Sequence, residues 1–275
     1  MRYAHLVLGP AGSGKSSYCS ALAKHCEATR RKLDVVNLDP AAETFDYEPV
    51  VDIRDLISLS DVMEDEELRF GPNGGLMFCM QYLSNNLEWL SEQLGEVDED
   101  YVLFDFPGQI EIYTDSNFVS KFINHLQTLN FRVCGVFLID SQFITDVAKF
   151  ISGVFVALST MIHFEIPFIN ILSKTDLLNP IDRRKIGKFL EPMADILEED
   201  SLLNTKWGEK YKKLTKTIAS LVEEYSLVKF TALNILNENS LNDVLLLVDS
   251  AIQYGEESEV RTVDDFNQER NGVCE

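Results

Sequence analysis

One octet constrains this chain more than any other feature. Gly9-Pro10-Ala11-Gly12-Ser13-Gly14-Lys15-Ser16 follows the apolar run 3–8 and precedes a helix-patterned stretch that starts near residue 15. It matches G-x-x-x-x-G-K-[ST]. Glycines there allow backbone conformations that aim successive N–H groups at phosphate oxygens. Lys15 then reaches the β- and γ-phosphates, Ser16 is placed to ligate Mg²⁺, and Ser17 completes the cradle at the helix start. A Gly-rich turn with no ligand is the bland alternative. The strand before the octet and the helix after it favour a bound nucleoside triphosphate with Mg²⁺ instead.

The rest of the chain fits that start. Apolar runs at 3–8, 33–38, 101–104, 132–139, 168–172 and 227–230 alternate with helical patterns at about 15–30, 74–94, 115–130, 142–164, 181–200, 205–225 and 240–253. Nearly continuous apolar runs are expected of strands buried on both faces. The fold class is therefore α/β, of P-loop NTPase type. It is a doubly wound, mostly parallel six-stranded sheet with helices on both faces. No linker divides the chain, so residues 1–255 read as a single domain. Residues 256–275 carry seven acids among twenty and read as an acidic, disordered tail. The acidic run 61–67 (DVMEDEE) reads as surface.

With 24 Lys+Arg against 45 Asp+Glu the net charge is −21. That disfavours direct nucleic-acid binding, which needs clustered Lys and Arg, and attachment to anionic membrane. The five cysteines, Cys19, Cys26, Cys79, Cys134 and Cys274, include no CxxC pair. They form neither a disulfide framework nor a zinc ligand set. The uncharged stretch 150–164 (FISGVFVALSTMIHF) falls short of the ~20 residues of a membrane helix. The expectation is a soluble cytoplasmic protein without a membrane partner.

Four further segments carry chemistry. Tyr101-Val102-Leu103-Phe104-Asp105 is a strand ending in an acid, the arrangement that holds Mg²⁺ or its water. It runs on into Phe106-Pro107-Gly108-Gln109-Ile110-Glu111, which resembles the DxxG switch of GTPases. The Gly108 N–H senses the γ-phosphate there, and Gln109 and Glu111 position the attacking water. Val35-Val36-Asn37-Leu38-Asp39 is a second acid-ending strand, with Asp39 beside the phosphate loop ordering Mg²⁺. Ser173-Lys174-Thr175-Asp176 follows a third strand and resembles the [NT]KxD base reader, with Ser where Asn or Thr is usual. Asp176 accepts from guanine N1–H and the 2-amino group, which adenine lacks. The Lys174 stem covers the purine. Ala232, in Phe230-Thr231-Ala232-Leu233-Asn234, stands where GTPases place a loop under guanine.

Together GPAGSGKS, VVNLDPAAE, RFGPNGGL, DFPGQIE and SKTD resemble the GPN-loop GTPases over about residues 1–255. The resemblance implies a GPN-loop insertion at Gly71, Pro72 and Asn73, with Asn73 acting in trans on the partner's phosphates. It implies GTP/GDP and Mg²⁺ as ligands and slow hydrolysis. It implies a homodimer, or a heterodimer with a paralogous GPN-loop GTPase, and a role with RNA polymerase II subunits or assembly factors, including nuclear import. It also implies a hydrophobic peptide pocket, to which 150–164 can contribute if it is more than a core helix. Without the resemblance, Gly71–Gly75 reads as a plain turn. Two rival functions stay open. One is an interaction scaffold with a structural nucleotide. The other is a P-loop kinase, which should show an acceptor site and an arginine-rich lid; Arg183-Arg184-Lys185 cluster beyond the base-reading loop.

Overall fold

The computed structural model describes residues 1–95, 101–114, 117–190, 217, 220 and 228–255. In chain order the strands are β1 (Arg2–Leu8), β2 (Asp34–Asn37), β3 (Val51–Asp52), β4 (Tyr101–Asp105), β5 (Phe131–Asp140), β6 (Phe168–Ser173) and β7 (Phe230–Ala232). The helices are α1 (Lys15–Ala28), α2 (Leu59–Glu64), α3 (Pro72–Asn85), α4 (Leu87–Leu94), α5 (Glu111–Thr114), α6 (Phe118–Thr128), α7 (Val147–Phe164), α8 (Pro180–Lys185), α9 (Gly187–Leu190) and α10 (Glu238–Ile252).

All seven strands pair parallel in the order β3-β2-β4-β1-β5-β6-β7. Every residue of central β1 is buried. Its side chains alternate between two apolar layers, as the period of two in a strand requires. Ala4, Leu6 and Leu8 join Phe104, Phe122, Phe137 and Phe150 on one face. Tyr3 and Val7 join Tyr18, Leu22, Leu103 and Val244 on the other. Parallel register brings the carboxyl ends together: Val7 lies opposite Asp105, Asn37 opposite Asp105, and Asp140 opposite Ser173. This shared edge is where open α/β sheets bind ligands.

The sheet has seven strands rather than six. The addition is β3, two residues long and too short to stand out as an apolar run, held parallel to β2 through Val36–Val51 and Asn37–Asp52. The helical pattern 74–94 divides at Asn86 into α3 and α4. The pattern from 142 opens as a 3₁₀ turn, Ser141–Thr145. Then Asp146 accepts from the N–H groups of Ala148 and Lys149 and caps α7. The acidic run 61–67 is not all surface. Ser58 caps α2, and Val62 and Leu59 pack against Gly75, where a Cβ would come within 2.8 Å of Leu59 Cδ1. The helix expected at 205–225 (positions 217 and 220 apart), the end of the one expected at 181–200, residue 227, Cys274 and the tail 256–275 lie outside the described residues. Cys19, Cys26, Cys79 and Cys134 are buried free thiols.

Helix α7 has 18 residues and, by length and composition alone, is apolar enough to cross a membrane. A third of it is buried here, with Phe150, Val154, Ala157 and Phe164 in the sheet's apolar layer. Those contacts are the ones a core helix makes. His163, near its end, is exposed.

Candidate functional site

The phosphate loop joins β1 to α1. Gly14 occupies the left-handed region at φ 90° where the helix begins, a conformation glycine adopts without strain. Ser13 donates its N–H to Pro10 O, closing the loop at 3.2 Å. Ala11, Gly12, Ser16 and Ser17 are exposed along its rim. Lys15 is buried, and its Nζ donates to the carbonyls of Gly9 (3.1 Å) and Pro10 (3.2 Å). Burial lowers its pKa, while the charges of Asp105 and Asp39 work the other way.

Those two carboxylates come from neighbouring strands. Asp105, 2% exposed, ends β4; its Oδ2 accepts from the Tyr47 hydroxyl at 2.9 Å. Burial raises its pKa; the Ser16 and Tyr47 hydroxyls and the Lys15 charge temper the rise, and Asp39 adds to it. Asp105 Oδ1 nevertheless accepts no hydrogen bond of ordinary geometry. Asp39 follows β2. Its Oδ1 accepts from Ala41 N and its own N–H donates to Asn37 Oδ1, both at 2.9 Å. Burial raises its pKa too, against the Ala41 N–H and Lys15.

One hydroxyl and two carboxylates, one with an unclaimed buried oxygen, are hard oxygen donors suited to Mg²⁺. That ion characteristically takes one or two carboxylates and completes its shell with phosphate oxygens and water. Among the described residues no three His, Cys, Asp or Glu side chains cluster as a metal site. Such a set does not need them.

The switch segment lies against the phosphate loop. A Cβ on Gly108 would stand 2.7 Å from Ala11 Cα and 3.0 Å from Lys15 Nζ, so only glycine fits there. The buried Tyr113 hydroxyl reaches Pro107 O and Gly9 O, tying α5 to both loops. Gln109 Oε1 is buried and unpartnered, whereas Glu111 is exposed at the start of α5.

The loop after β6 closes the other side. Ser173 Oγ lies 2.6 Å from Ser13 O and 3.1 Å from Ile139 O. Its single proton goes to one carbonyl, and the shorter contact takes it. Lys174 Nζ pairs with Asp140 Oδ2 at 2.9 Å and donates to Gly12 O, which lays its stem beside Gly14. Thr175 donates both its N–H and its hydroxyl to Leu233 O, so Ala232 and the segment after β7 sit directly against this loop. Arg183 of α8 donates to Thr175 O at 3.0 Å. Asp176 Oδ1 is buried without a partner.

Gly71, Pro72 and Asn73 make none of these contacts. They form the start of α3, with Gly71 as cap and Pro72 at the first helical position, and all three are exposed. Among the described residues no hydrogen bond joins them to the phosphate loop.

An apolar cleft of about 360 Å³ opens beside the phosphate loop, lined by Pro10, Ile110, Phe137, Phe143, Gly153 and Val156. It joins the phosphate loop, the switch segment and α7.

Two residues at the site escaped sequence reasoning. Asp140 had a signal, since β5 ends in an acid as β2 and β4 do. Tyr47 had none, because it sits in an irregular stretch between β2 and β3.

Comparison with known proteins extends the geometry. A family described as "Conserved hypothetical ATP binding protein" matches residues 7–254. The chain is 52% identical over 268 residues to GPN-loop GTPase 3 of Danio rerio, covering 98% of this chain and 94% of that one. It is 45% identical over 270 residues to GPN-loop GTPase 3 of Schizosaccharomyces pombe, covering 97% and 96%. Among solved structures it is similar to a GTPase in apo form from Pyrococcus abyssi, with a TM-score of 0.73 and 23% identity over 90% of this chain and 97% of that one. At that identity the likeness speaks for the fold alone.

Proposed function

The chain belongs to the GPN-loop GTPase family, and from that membership we propose that it binds GTP and GDP with Mg²⁺ and hydrolyses GTP as a dimeric molecular switch. The observation that carries the guanine reading is the buried, unpartnered Oδ1 of Asp176, in a loop fastened to the phosphate loop by Ser173 and Lys174. Guanine N1–H and its 2-amino group supply the donors that carboxylate lacks. Adenine supplies neither, and a buried charged acceptor left unpaired costs upwards of ~1–3 kcal/mol. That chemistry favours guanine over the adenine in the family's description.

Each part of the chain then has work to do. Phosphate-loop amides and Lys15 bind the phosphates. Ser16, Asp39 and Asp105 would hold Mg²⁺, which when bound offsets the negative charge developing on the phosphates. Gly108, against Ala11, brings its N–H to the loop that holds the γ-phosphate. Gln109, with its free Oε1, orients water for in-line attack, with Glu111 assisting and Asn73 of the partner subunit contributing in trans. None of these is a strong base, so turnover is slow.

The family resemblance also supports a part in RNA polymerase II assembly and nuclear import. The dimer partner is a paralogous GPN-loop GTPase or a second copy, and the protein is cytoplasmic with shuttling to the nucleus. A net charge of −21 agrees with contacts to protein rather than nucleic acid. The apolar cleft gives a partner peptide a place touching both phosphate loop and switch. That cleft also suits a scaffold with a structural nucleotide. Gln109→Ala in the dimer separates the two, because a scaffold keeps its hydrolysis rate and partner release unchanged.

The test is calorimetric binding of GDP, a non-hydrolysable GTP analogue and the matching ATP analogue, each with Mg²⁺, to wild type and Asp176→Asn. Preference for guanine that passes to xanthine in the variant supports the reading. Equal binding of the GTP and ATP analogues overturns it.

A further inference from the structure

We propose that Tyr47 is a positioning residue for Mg²⁺, holding the Asp105 carboxylate so that one oxygen remains available to the ion's water shell. The inference rests on the Mg²⁺–nucleotide reading above. Its observation is the 2.9 Å hydrogen bond from the Tyr47 hydroxyl to Asp105 Oδ2, with Oδ1 left buried, without a hydrogen bond of ordinary geometry, on a carboxylate that the Ser16 hydroxyl also influences.

A carboxylate that accepts at one oxygen from a fixed donor does not swing freely about its terminal torsion. The orientation of its second oxygen is then set before any ligand arrives. Such preorganisation keeps reorientation out of the binding step.

The donor is itself fixed at several points. Ser20 Oγ donates to Asp46 O at 3.0 Å and pins the Tyr47 segment to α1. The Phe45 ring lies 5.0 Å from the Tyr47 ring, and the Arg54 guanidinium sits 4.6 Å from the Phe45 centroid. Arg54 is anchored in turn by Asp52 at 2.6 Å and by Ala42 O at 2.9 Å. Asp52 also accepts from Asn37, whose side-chain oxygen accepts the Asp39 N–H. The loop between β2 and β3 is thus one connected framework, and it delivers a phenol to Asp105 and orients the backbone of Asp39.

The experiment uses the full chain and GDP, with affinity measured in Mg²⁺ and again in EDTA. Tyr47→Phe keeps the ring against Phe45 and removes only the hydroxyl. The expected result is that the gain in GDP affinity conferred by Mg²⁺ falls about tenfold, the usual effect of losing a hydrogen bond to a charged group. Affinity in EDTA stays within about twofold. The electron paramagnetic resonance spectrum of Mn²⁺ in the GDP complex should broaden or shift in the same variant. An unchanged Mg²⁺ gain overturns the proposal, and so does an equal fall in EDTA, which would mark general damage to the loop. If wild type shows no Mg²⁺ gain, the metal reading itself fails and the proposal with it. Should Tyr47→Phe not fold, Ser20→Ala decides. It frees the loop from α1 and leaves the phenol in place, so a smaller fall in the Mg²⁺ gain supports the proposal and no fall overturns it.

Discussion

The Ser173 hydroxyl and the Ser13 carbonyl stand 2.6 Å apart and join the loop after β6 to the phosphate loop. This link crosses between two elements 160 residues apart in sequence, and both ends are buried. An asparagine at position 173 has two donor protons; serine has one, so Ile139 O at 3.1 Å competes for the same proton. Ser173→Ala leaves both carbonyls without it. Losing one neutral hydrogen bond costs about 1 kcal/mol, so guanine nucleotide affinity should fall about fivefold. Calorimetry with GDP checks this. An unchanged affinity would mean that Lys174 alone aligns the two loops.

Gly108 shows a different dependence. Its constraint is the backbone of Ala11, within 2.7 Å of where a Cβ would stand, and not a left-handed φ. Backbone cannot yield as a flexible side chain can. Gly108→Ala should therefore push the switch segment off the phosphate loop and weaken the non-hydrolysable GTP analogue about tenfold or more, with GDP less affected. A stopped-flow comparison of the two nucleotides reads the difference, and equal losses would place the clash outside the γ-phosphate position.

The six longer strands, their parallel doubly wound arrangement and the strand–loop–helix around the phosphate loop were legible because each leaves a local pattern, whereas the order of the strands in the sheet was not read. β1 and β5 are nearly continuous apolar runs, and the loop motif is contiguous. What was not legible was set by tertiary contact. β3 has only two residues and exists because Asn37 and Asp52 pair across it. Val62 is buried inside an acidic run because α2 folds back on α3, where Gly75 leaves room. Tyr47 carries no motif, and only the path of the loop brings its hydroxyl to Asp105. Ser173 departs from the usual base-reader residue in sequence, yet its hydroxyl reaches the phosphate-loop backbone. The start of α3 is exposed, and among the described residues Asn73 makes no hydrogen bond to its own chain's phosphate loop. The expectation that Asn73 acts in trans comes only from the family resemblance, never from spacing.

At the opposite edge of the sheet, Arg31 and Asp249 form a two-bond ion pair at 2.6 and 2.7 Å. The Arg31 guanidinium lies over the rings of Tyr101 (4.3 Å) and Tyr254 (4.0 Å). The pair is mostly shielded from water, and it fastens α10 to the end of α1. Asp249→Ala strands a shielded guanidinium and should cost about 3 kcal/mol, or roughly 6–12 °C in Tm for a chain of this size. Because Tyr101 begins β4 and Asp105 ends it, GDP affinity should stay within about twofold. Differential scanning calorimetry and GDP titration on one preparation test both halves. A large loss of affinity would show that α10 is coupled to the nucleotide site.

His5 gives the clearest pH dependence. It is fully buried, and burial, helped by the positive charge of Arg31, pushes its pKa down to about 3. Its tautomer follows from its partners. The Tyr101 hydroxyl donates to Asp249 Oδ1 at 3.0 Å, so Tyr101 accepts from His5 Nε2–H, also at 3.0 Å. Nδ1 is then a bare, buried acceptor. In the unfolded chain the ring takes up a proton near pH 6.5, while in the folded chain it stays neutral down to about 3. The unfolded state therefore binds more protons in that window. The contribution is present above pH 6.5 and is lost as pH falls through the window. Between pH 7 and pH 5 the loss is about 2 kcal/mol, from ~1.4 kcal/mol per unit of pH below the unfolded pKa. His5→Phe keeps an aromatic ring against Tyr101 and removes the titrating group. Urea unfolding at the two pH values should thus show wild type losing about 2 kcal/mol more than the variant. Parallel losses would mean that the folded chain lets the ring protonate, and that the acid sensitivity arises among the carboxylates instead.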